Sequence, residues 1–385
     1  MVWLTERRVR LYCGLIILFY LCCWSAMIWF TCQPTNKRFC DFVQFWTAGR
    51  LVQEGQEKKV YDFCFFVAQE QKVLGRHITP VVFRYPPTLF PIVKVLAYLP
   101  YGFAYGLFVF FSVFAFVGAC YVIYPHRYSF WLVLACPIVY ENVSFGQNGL
   151  INGAIFGFAL YVLRKRPLFA GLFFGLLTYK VHLVLLVPFA LIAGRHWRAL
   201  FSMVATASLM VGLSLVLYGF DVWQLFFSVS GPNAVFHPVV SFADMVTPWG
   251  AIYLLTENAS FAWGVQIIFS LLSLGLVIWF WRKDVSFYLK AALLLLLSLL
   301  VTPYAFVYDL TFLGLALIFL AKDGVQDGEE KFFVFSWSFV ALSSLVAAAH
   351  SLPLAFLVLL SMTALSLRRL LIPGGTKAET VSLNG

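Results

Sequence analysis

The chain has 385 residues and a net charge of +10; 62% of its residues are hydrophobic and only 11% charged. A soluble domain is typically about half apolar and about a quarter charged, so no water-soluble core could absorb this composition. The excess of positive charge would suggest nucleic acid in a soluble protein, but here most basic residues sit in short connectors between apolar runs, and membrane lipid is the expected partner instead of nucleic acid.

In chain order, apolar runs recur from Leu11 nearly to Leu371, several of them close to the ~20 residues that a helix needs to cross a bilayer. The first follows Arg7, Arg8 and Arg10. It is long and lacks a small-residue cleavage site, so it reads as a first span and not as a leader. The pattern predicts an all-α polytopic membrane protein of about twelve transmembrane helices. They fall near 11–31, 102–124, 128–143, 149–163, 168–178, 181–193, 197–218, 261–282, 287–303, 308–322, 332–348 and 352–370. The runs 168–178 and 181–193 are too short to cross alone if straight. Aromatics at 19%, with 42 Phe, suit lipid-facing surfaces and interfacial belts.

Under this count Arg7-Arg8-Val9-Arg10, His126-Arg127, Arg164-Lys165-Arg166, Arg195-His196-Trp197-Arg198, Arg282-Lys283 and Arg368-Arg369 share one side. The charge bias makes that side cytoplasmic, with both termini there. The opposite side carries two long segments, 33–101 and 219–260. In the first, Phe42, Phe45, Trp46, Gly49 and Leu51 suggest an amphipathic juxtamembrane helix lying on the membrane surface. Residues 88–99, which include Lys94, read as interfacial or re-entrant. Residues 1–372 are expected to form a single transmembrane domain, with 373–385 a disordered cytoplasmic tail.

Of the 8 cysteines, Cys13, Cys22, Cys23, Cys120 and Cys136 fall in apolar runs as small buried residues. No pair has metal-ligand spacing with histidine partners, so no metal is expected. Cys32, Cys40 and Cys64 lie on the outer side, where Cys64 is expected to pair with Cys40 or Cys32; three free thiols are the alternative.

Five outer-side segments could carry chemistry. Asp41 follows the first span, where burying an acid is costly; the alternative is a solvated loop acid. In Phe83-Arg84-Tyr85-Pro86-Pro87 the paired prolines stiffen the chain beside Arg84, whose planar fork of donors suits phosphate unless it snorkels to headgroups. Glu141-Asn142-Val143-Ser144-Phe145-Gly146-Gln147-Asn148-Gly149 offers the neutral donors and acceptors of Gln147 and Asn148, suited to sugar hydroxyls, or is a capping turn. In Tyr179-Lys180-Val181-His182, Lys180 runs against the charge bias between apolar flanks, and intramembrane cations pair with an anion or line a polar cavity. Asp309, in Thr302-Pro303-Tyr304-Ala305-Phe306-Val307-Tyr308-Asp309, is a ligand, a partner for Lys180, or an acid at a helix N-terminus.

Together these segments resemble the integral-membrane glycosyltransferases of the C superfamily, and among them glycosyltransferase family 87. The resemblance rests on Asp41-Phe42 with Phe45-Trp46 and Ala48-Gly49, Gly55, Tyr61-Asp62, Arg84-Tyr85-Pro86-Pro87, Gly146-Gln147-Asn148, Ala170-Gly171-Leu172 with Gly175-Leu176, Lys180, Pro303 and Tyr308-Asp309-Leu310. It covers roughly residues 40 to 310. The family usually has Lys-Pro where this chain has Lys180-Val181. The superfamily's first outer loop often carries two acids, but Asp62 is separated from Asp41 by an amphipathic helix.

The resemblance implies transfer of a hexose, by analogy mannose, from a polyprenyl-phosphate donor to a lipid or glycan acceptor, with inversion, at the outer face of a bacterial inner membrane. It implies Asp41 as the catalytic base, Arg84, Lys180 and His182 on the donor phosphate, and Tyr85, Gln147, Asn148 and Asp309 on sugar or acceptor. No cofactor or metal is implied. A transporter or flippase of lipid-linked sugars is the rival, but such proteins often show repeated halves with interrupted helices at mid-depth, and no repeat is evident. A non-catalytic scaffold leaves Asp41, Arg84 and Lys180 on one face unexplained.

Overall fold

A computed structural model of the chain describes residues 6–31, 41–75, 81–230, 242–326, 328–339 and 352–371. Among the described residues there are eighteen α-helices and one isolated antiparallel bridge, Met245 with Phe306. Helix α1 is Glu6–Thr31; α2 (Asp41–Gln53), α3 (Phe63–Leu74) and α4 (Phe90–Leu96) build the first outer segment. The bundle follows with α5 (Tyr101–Ile123), α6 (Ser129–Leu134), α7 (Pro137–Phe145), α8 (Gly149–Val162), α9 (Pro167–Leu176), α10 (Val187–Ala193) and α11 (Trp197–Tyr218). Then come α12 (Phe220–Val229), α13 (Pro248–Thr256), α14 (Ala259–Trp281), α15 (Phe287–Leu300), α16 (Thr311–Asp323), α17 (Glu330–Phe339) and α18 (Leu354–Leu371).

Helices α5, α11 and α14 are each long and apolar enough to cross a membrane. They leave large apolar side chains exposed, such as Phe110 and Phe114, Leu209 and Val216, and Ile268 and Leu271. In water such surfaces would be unfavourable; against acyl chains they are the expected finish. The expected run 332–348 is helical to Phe339, and its remainder lies outside the described residues, as does the tail.

Other expected spans are divided, for reasons written in the backbone. Run 128–143 becomes α6 and α7 because Pro137 has no N–H and its ring keeps Cys136 extended, at φ −67° and ψ 126°. Runs 168–178 and 181–193 become a hairpin of two short helices. Its turn is the 3₁₀ segment Leu177–Leu183, broken at Lys180 by φ −134° and ψ 53°. This half-length hairpin reaches from one end of the bundle into its interior and returns.

The stripe on α2 is not a membrane-surface face. Phe42, Val43, Gln44, Phe45, Thr47, Ala48, Gly49, Leu51 and Val52 are all buried, so the helix is enclosed on almost every side. Helix α4 crosses it closely, because a Cβ at Gly49 would collide with the carbonyl of Val93. Asp62, set aside above, caps α3 by accepting from Phe65 N at 3.2 Å and pairs with Lys59 at 3.2 Å.

The core is assembled by small residues one helical turn apart. Gly149, Gly153 and Gly157 of α8 face Tyr308, Thr311 and Leu315 in turn, so the helix lies against the start of α16. Gly171 and Gly175 of α9 meet the backbone and side chains of Ala199, Ser202, Met203 and Thr206 on α11. In lipid, helices gain little from apolar burial against one another, and this close backbone approach supplies the dispersion contact that holds them. Helix α15 is buried along nearly its whole length, from Leu289 to Leu300.

The glycine contacts set a test. Gly171→Leu forces α9 off α11 and should cut the monodisperse fraction recovered in detergent several-fold. Gly212→Leu on α11, where no atom lies within 4 Å of the added carbon, should match wild type in gel filtration and melting.

Candidate active site

The connector between α7 and α8 is the part around which the site is built. Helix α7 ends at Gly146 in the left-handed region, φ +67°, a conformation that suits glycine. A side chain there would also strike Phe42 and Tyr105, and one at Gly149 would strike the Tyr308 carbonyl. The two glycines therefore let Gln147 and Asn148 be pressed between the start of α2 and the turn before α16.

These two adjacent amides face different charges. Gln147 Nε2 donates to Asp41 Oδ2 at 2.8 Å, and the Tyr85 hydroxyl donates to Gln147 Oε1 at 3.5 Å. Asn148 stands at the N-cap of α8 but makes no side-chain capping bond. Its Oδ1 accepts instead from Lys180 Nζ at 3.2 Å and from Asn152 Nδ2 at 3.0 Å. The capping alternative thus fails for Asn148, and a charged network takes its place.

Lys180 is 4% exposed and Asp309 1%, and Nζ lies 2.6 Å from Oδ1. The second carboxylate oxygen accepts from Phe306 N at 3.2 Å, so Asp309 both pairs with the cation and anchors the 3₁₀ turn Val307–Leu310. Nζ also stands 4.9 Å from the Tyr308 ring centre, a cation–π contact. The ammonium thus has Asp309, Asn148 and the Tyr308 ring around it. The break at Lys180 is what turns its side chain from the hairpin into the bundle. Tyr179 beside it donates to Asn152 Oδ1 at 2.6 Å.

Arg84 and His182 occupy the remaining edge. Arg84 donates to the Tyr304 hydroxyl at 3.3 Å and lies 5.4 Å from its ring centre; no carboxylate of the described residues pairs with it. His182 meets the same ring edge-on at 5.9 Å, and its buried Nε2 has no hydrogen-bond partner among the described residues. Tyr304 lies within electrostatic reach of Asp41, Arg84 and Asp309. All eight residues singled out above, Asp41, Arg84, Tyr85, Gln147, Asn148, Lys180, His182 and Asp309, therefore converge on one region.

The second outer segment closes over it. Val246 N donates to Ala305 O at 3.0 Å, and Thr247 Oγ1 to Pro303 O at 3.3 Å. This docking brings Asp244 towards Asp41. The Asp41 carboxyl is pushed up to about 6: burial raises it, the Gln147 hydrogen bond opposes, and the charge of Asp244 adds to the rise.

Several members of the network were not foreseen. Asn152 follows Asn148 by four residues inside an apolar helix, and that spacing was a usable signal. Tyr61, whose hydroxyl donates to Tyr85 O at 2.8 Å, and Tyr308 carry the family resemblance without a role assigned to them, and Tyr304 is hidden among many aromatics. Glu70 is fully buried, one oxygen accepting from Val81 N at 3.3 Å and the other without a partner among the described residues. Burial pushes it up to about 9, with the Val81 bond opposing and the charge of Asp41 adding. In the sequence it sits in the polar run Gln69-Glu70-Gln71-Lys72, which gives no sign of burial. Cys64 is exposed on α3, and its expected partners Cys32 and Cys40 lie outside the described residues. Among the described residues no group of three or more His, Cys, Asp or Glu is placed to hold a metal ion.

Removing one member of a buried ion pair strands the other, at a cost of about 3–5 kcal/mol. Lys180→Ala and Asp309→Ala should each melt well below wild type in detergent, and the double variant should recover part of the loss. A double variant no more stable than the weaker single would refute the coupling.

No curated protein and no solved structure matches the chain. The sequence profile of glycosyltransferase family 87 matches residues 83–303, more than half of the chain. With an all-helical, lipid-facing fold, and a matched segment that begins beside Arg84 and ends at the edge of the Asp309 turn, the chain belongs to glycosyltransferase family 87 and is a membrane glycosyltransferase.

Proposed function

We propose that the chain transfers a hexose, most simply mannose, from a polyprenyl-phosphate donor to a hydroxyl of a lipid or glycan acceptor. The reaction takes place at the periplasmic face of a bacterial inner membrane, in a fold of about twelve spans with both termini cytoplasmic. The observation that carries this reading is a carboxylate with a raised pKa in the same region as a cationic edge that no carboxylate of the described residues pairs with. Asp41 is the first; Arg84, whose guanidinium has no acid partner, and His182, whose ring Nε2 has no hydrogen-bond partner among the described residues, form the second.

Transfer to a hydroxyl needs a base for the acceptor proton and positive charge for the departing phosphate. Asp41 takes the proton while Gln147 holds its carboxylate by Oδ2. The acceptor oxygen forms the new bond to the anomeric carbon from the face opposite the phosphate. The C–O bond to the phosphate breaks with its electron pair, and configuration inverts. Arg84 and His182 receive the phosphate. Lys180, its charge shared with Asp309, holds Asn148 and through the chain Gln147, and adds positive potential behind the site. Tyr85, Gln147 and Asn148 supply donors and acceptors for hydroxyls. The lipid tail stays among the helices, so the donor need not be drawn into water.

The test is an assay of the purified chain with a panel of polyprenyl-phosphate sugars, following released polyprenyl phosphate. No release with any of them would end the donor assignment. Asp41→Asn keeps size and removes basicity, and should lower turnover by about 10²–10⁴-fold without changing the melting temperature. Near-normal turnover would end the general-base assignment. The base form of Asp41 exists above a pH of about 6 and is lost as pH falls through it. Wild-type turnover should therefore drop towards tenfold per unit on the acid side and level off above. Arg84→Gln should raise the KM for the lipid donor by well over tenfold, because loss of a charged partner in a poorly hydrated site costs about 2–5 kcal/mol.

A further inference from the structure

The opposite end of the bundle holds a second feature, which the transfer reaction does not use. Helix α8 runs for 14 residues from the site at Gly149 to the connector at Arg164, about 21 Å at 1.5 Å per residue. Between that connector, the α10–α11 turn, and the α14–α15 junction lies a cavity of about 690 Å³. Arg164, His196, Trp281 and Lys290 line it, and a smaller cleft of about 330 Å³ shares Arg164 and His196 and adds Arg195 and Arg198.

Its lining carries three cations, Arg164, Lys290 and Arg369, against two acids, Asp284 and Asp323. Arg369 in the wall is neutralised by Glu329 and Asp323. Arg164 and Lys290 have no acid within ion-pair distance among the described residues. Arg164 lies over the Phe287 ring at 5.9 Å, and Lys290 Nζ donates only to the Trp281 carbonyl at 3.3 Å. Asp284 is the one remaining acid in the cavity wall, against Arg164 and Lys290; Arg195 and Arg198 line the smaller cleft. Burial, then the charges of Lys290 and Arg164, push His196 down, so those charges are felt within the wall.

Two further observations point to a ligand. Trp281 is 3% exposed, lines the cavity, and its buried indole N–H has no acceptor among the described residues; a buried donor left unpaired is costly. Helix α15 also begins in the cavity wall, at Phe287, with a dipole end that favours negative charge. The positive-inside bias accounts for basic connectors. It accounts neither for a cavity between them nor for an unpaired donor in its wall.

We propose that this cavity binds a phosphate group, carried by the headgroup of an anionic phospholipid or by a free phosphate, with Arg164 and Lys290 as its cationic ligands. Basic pockets between transmembrane helices are suited to such headgroups. The transfer reaction at the other end plays no part in the argument.

The test uses the full chain in neutral detergent. In native mass spectrometry, phosphatidylglycerol should bind the wild type at least tenfold more tightly than zwitterionic phosphatidylcholine. Arg164→Gln, at an exposed position, and Arg164→Gln with Lys290→Gln should each reduce that preference, the double variant abolishing it. Inorganic phosphate, compared with chloride at equal ionic strength, reports the other source. A rise in melting temperature that the variants lose, with no lipid preference, assigns the site to free phosphate. Equal binding of the two lipids together with no effect of phosphate overturns the proposal, as does a wild-type response in Arg164→Gln and the double variant. If the double variant does not fold, Arg164→Gln and the wild-type comparison decide.

Discussion

Lys180 and Asp309 are both charged and both sealed inside the bundle, 2.6 Å apart. Neither could be placed there alone, since an uncompensated ion in such surroundings is expensive. Each solves the other's problem, and in doing so the pair ties the hairpin turn at 177–183 to the turn at 307–310. Asn148 completes the ammonium's shell, so the connector before α8 is drawn into the same knot. Because Gln147 is the neighbour of Asn148, the hydrogen bond that aims Asp41 is a downstream consequence of that ion pair.

Such a knot requires backbones to come unusually close. Gly146 lets the connector turn in a left-handed conformation against Phe42, and Gly149 lets it lie on the carbonyl of Tyr308. The glycine ladder of α8 continues the contact down α16, and Gly171 and Gly175 bring the hairpin against α11. Residues that resemble a family signature in the sequence thus divide by physical task. The glycines set distances between helices, and the polar residues between them make use of those distances.

The bundle also separates its charges along its length. At one end the titratable groups of the site itself are buried and partnered within it, apart from Arg84 and His182, which face one tyrosine, while exposed pairs such as Lys58–Asp221 and Lys59–Asp62 lie around it. At the other end cations crowd connectors and line an open cavity. The cations at the far face are more numerous and less constrained, as electrostatics with a membrane surface allows.

The sequence by itself determined the helical class, the membrane setting and the identity of the polar residues worth following. Those features rest on composition and on apolar runs, which are local properties. It also marked Lys180 as out of place, because a cation between apolar flanks is visible in one dimension. Tertiary structure decided what those residues meet. The amphipathic spacing on α2 suggested a surface helix, yet the helix is enclosed, because the partners that cover its second face come from 81–101 and from α5. Glu70 reads as an ordinary polar residue until the packing around α3 buries it. Whether Lys180 faced an anion of the protein or of a ligand depended on Asp309, 129 residues away. Pairing across that separation is set by the crossing of helices, and no local spacing encodes it.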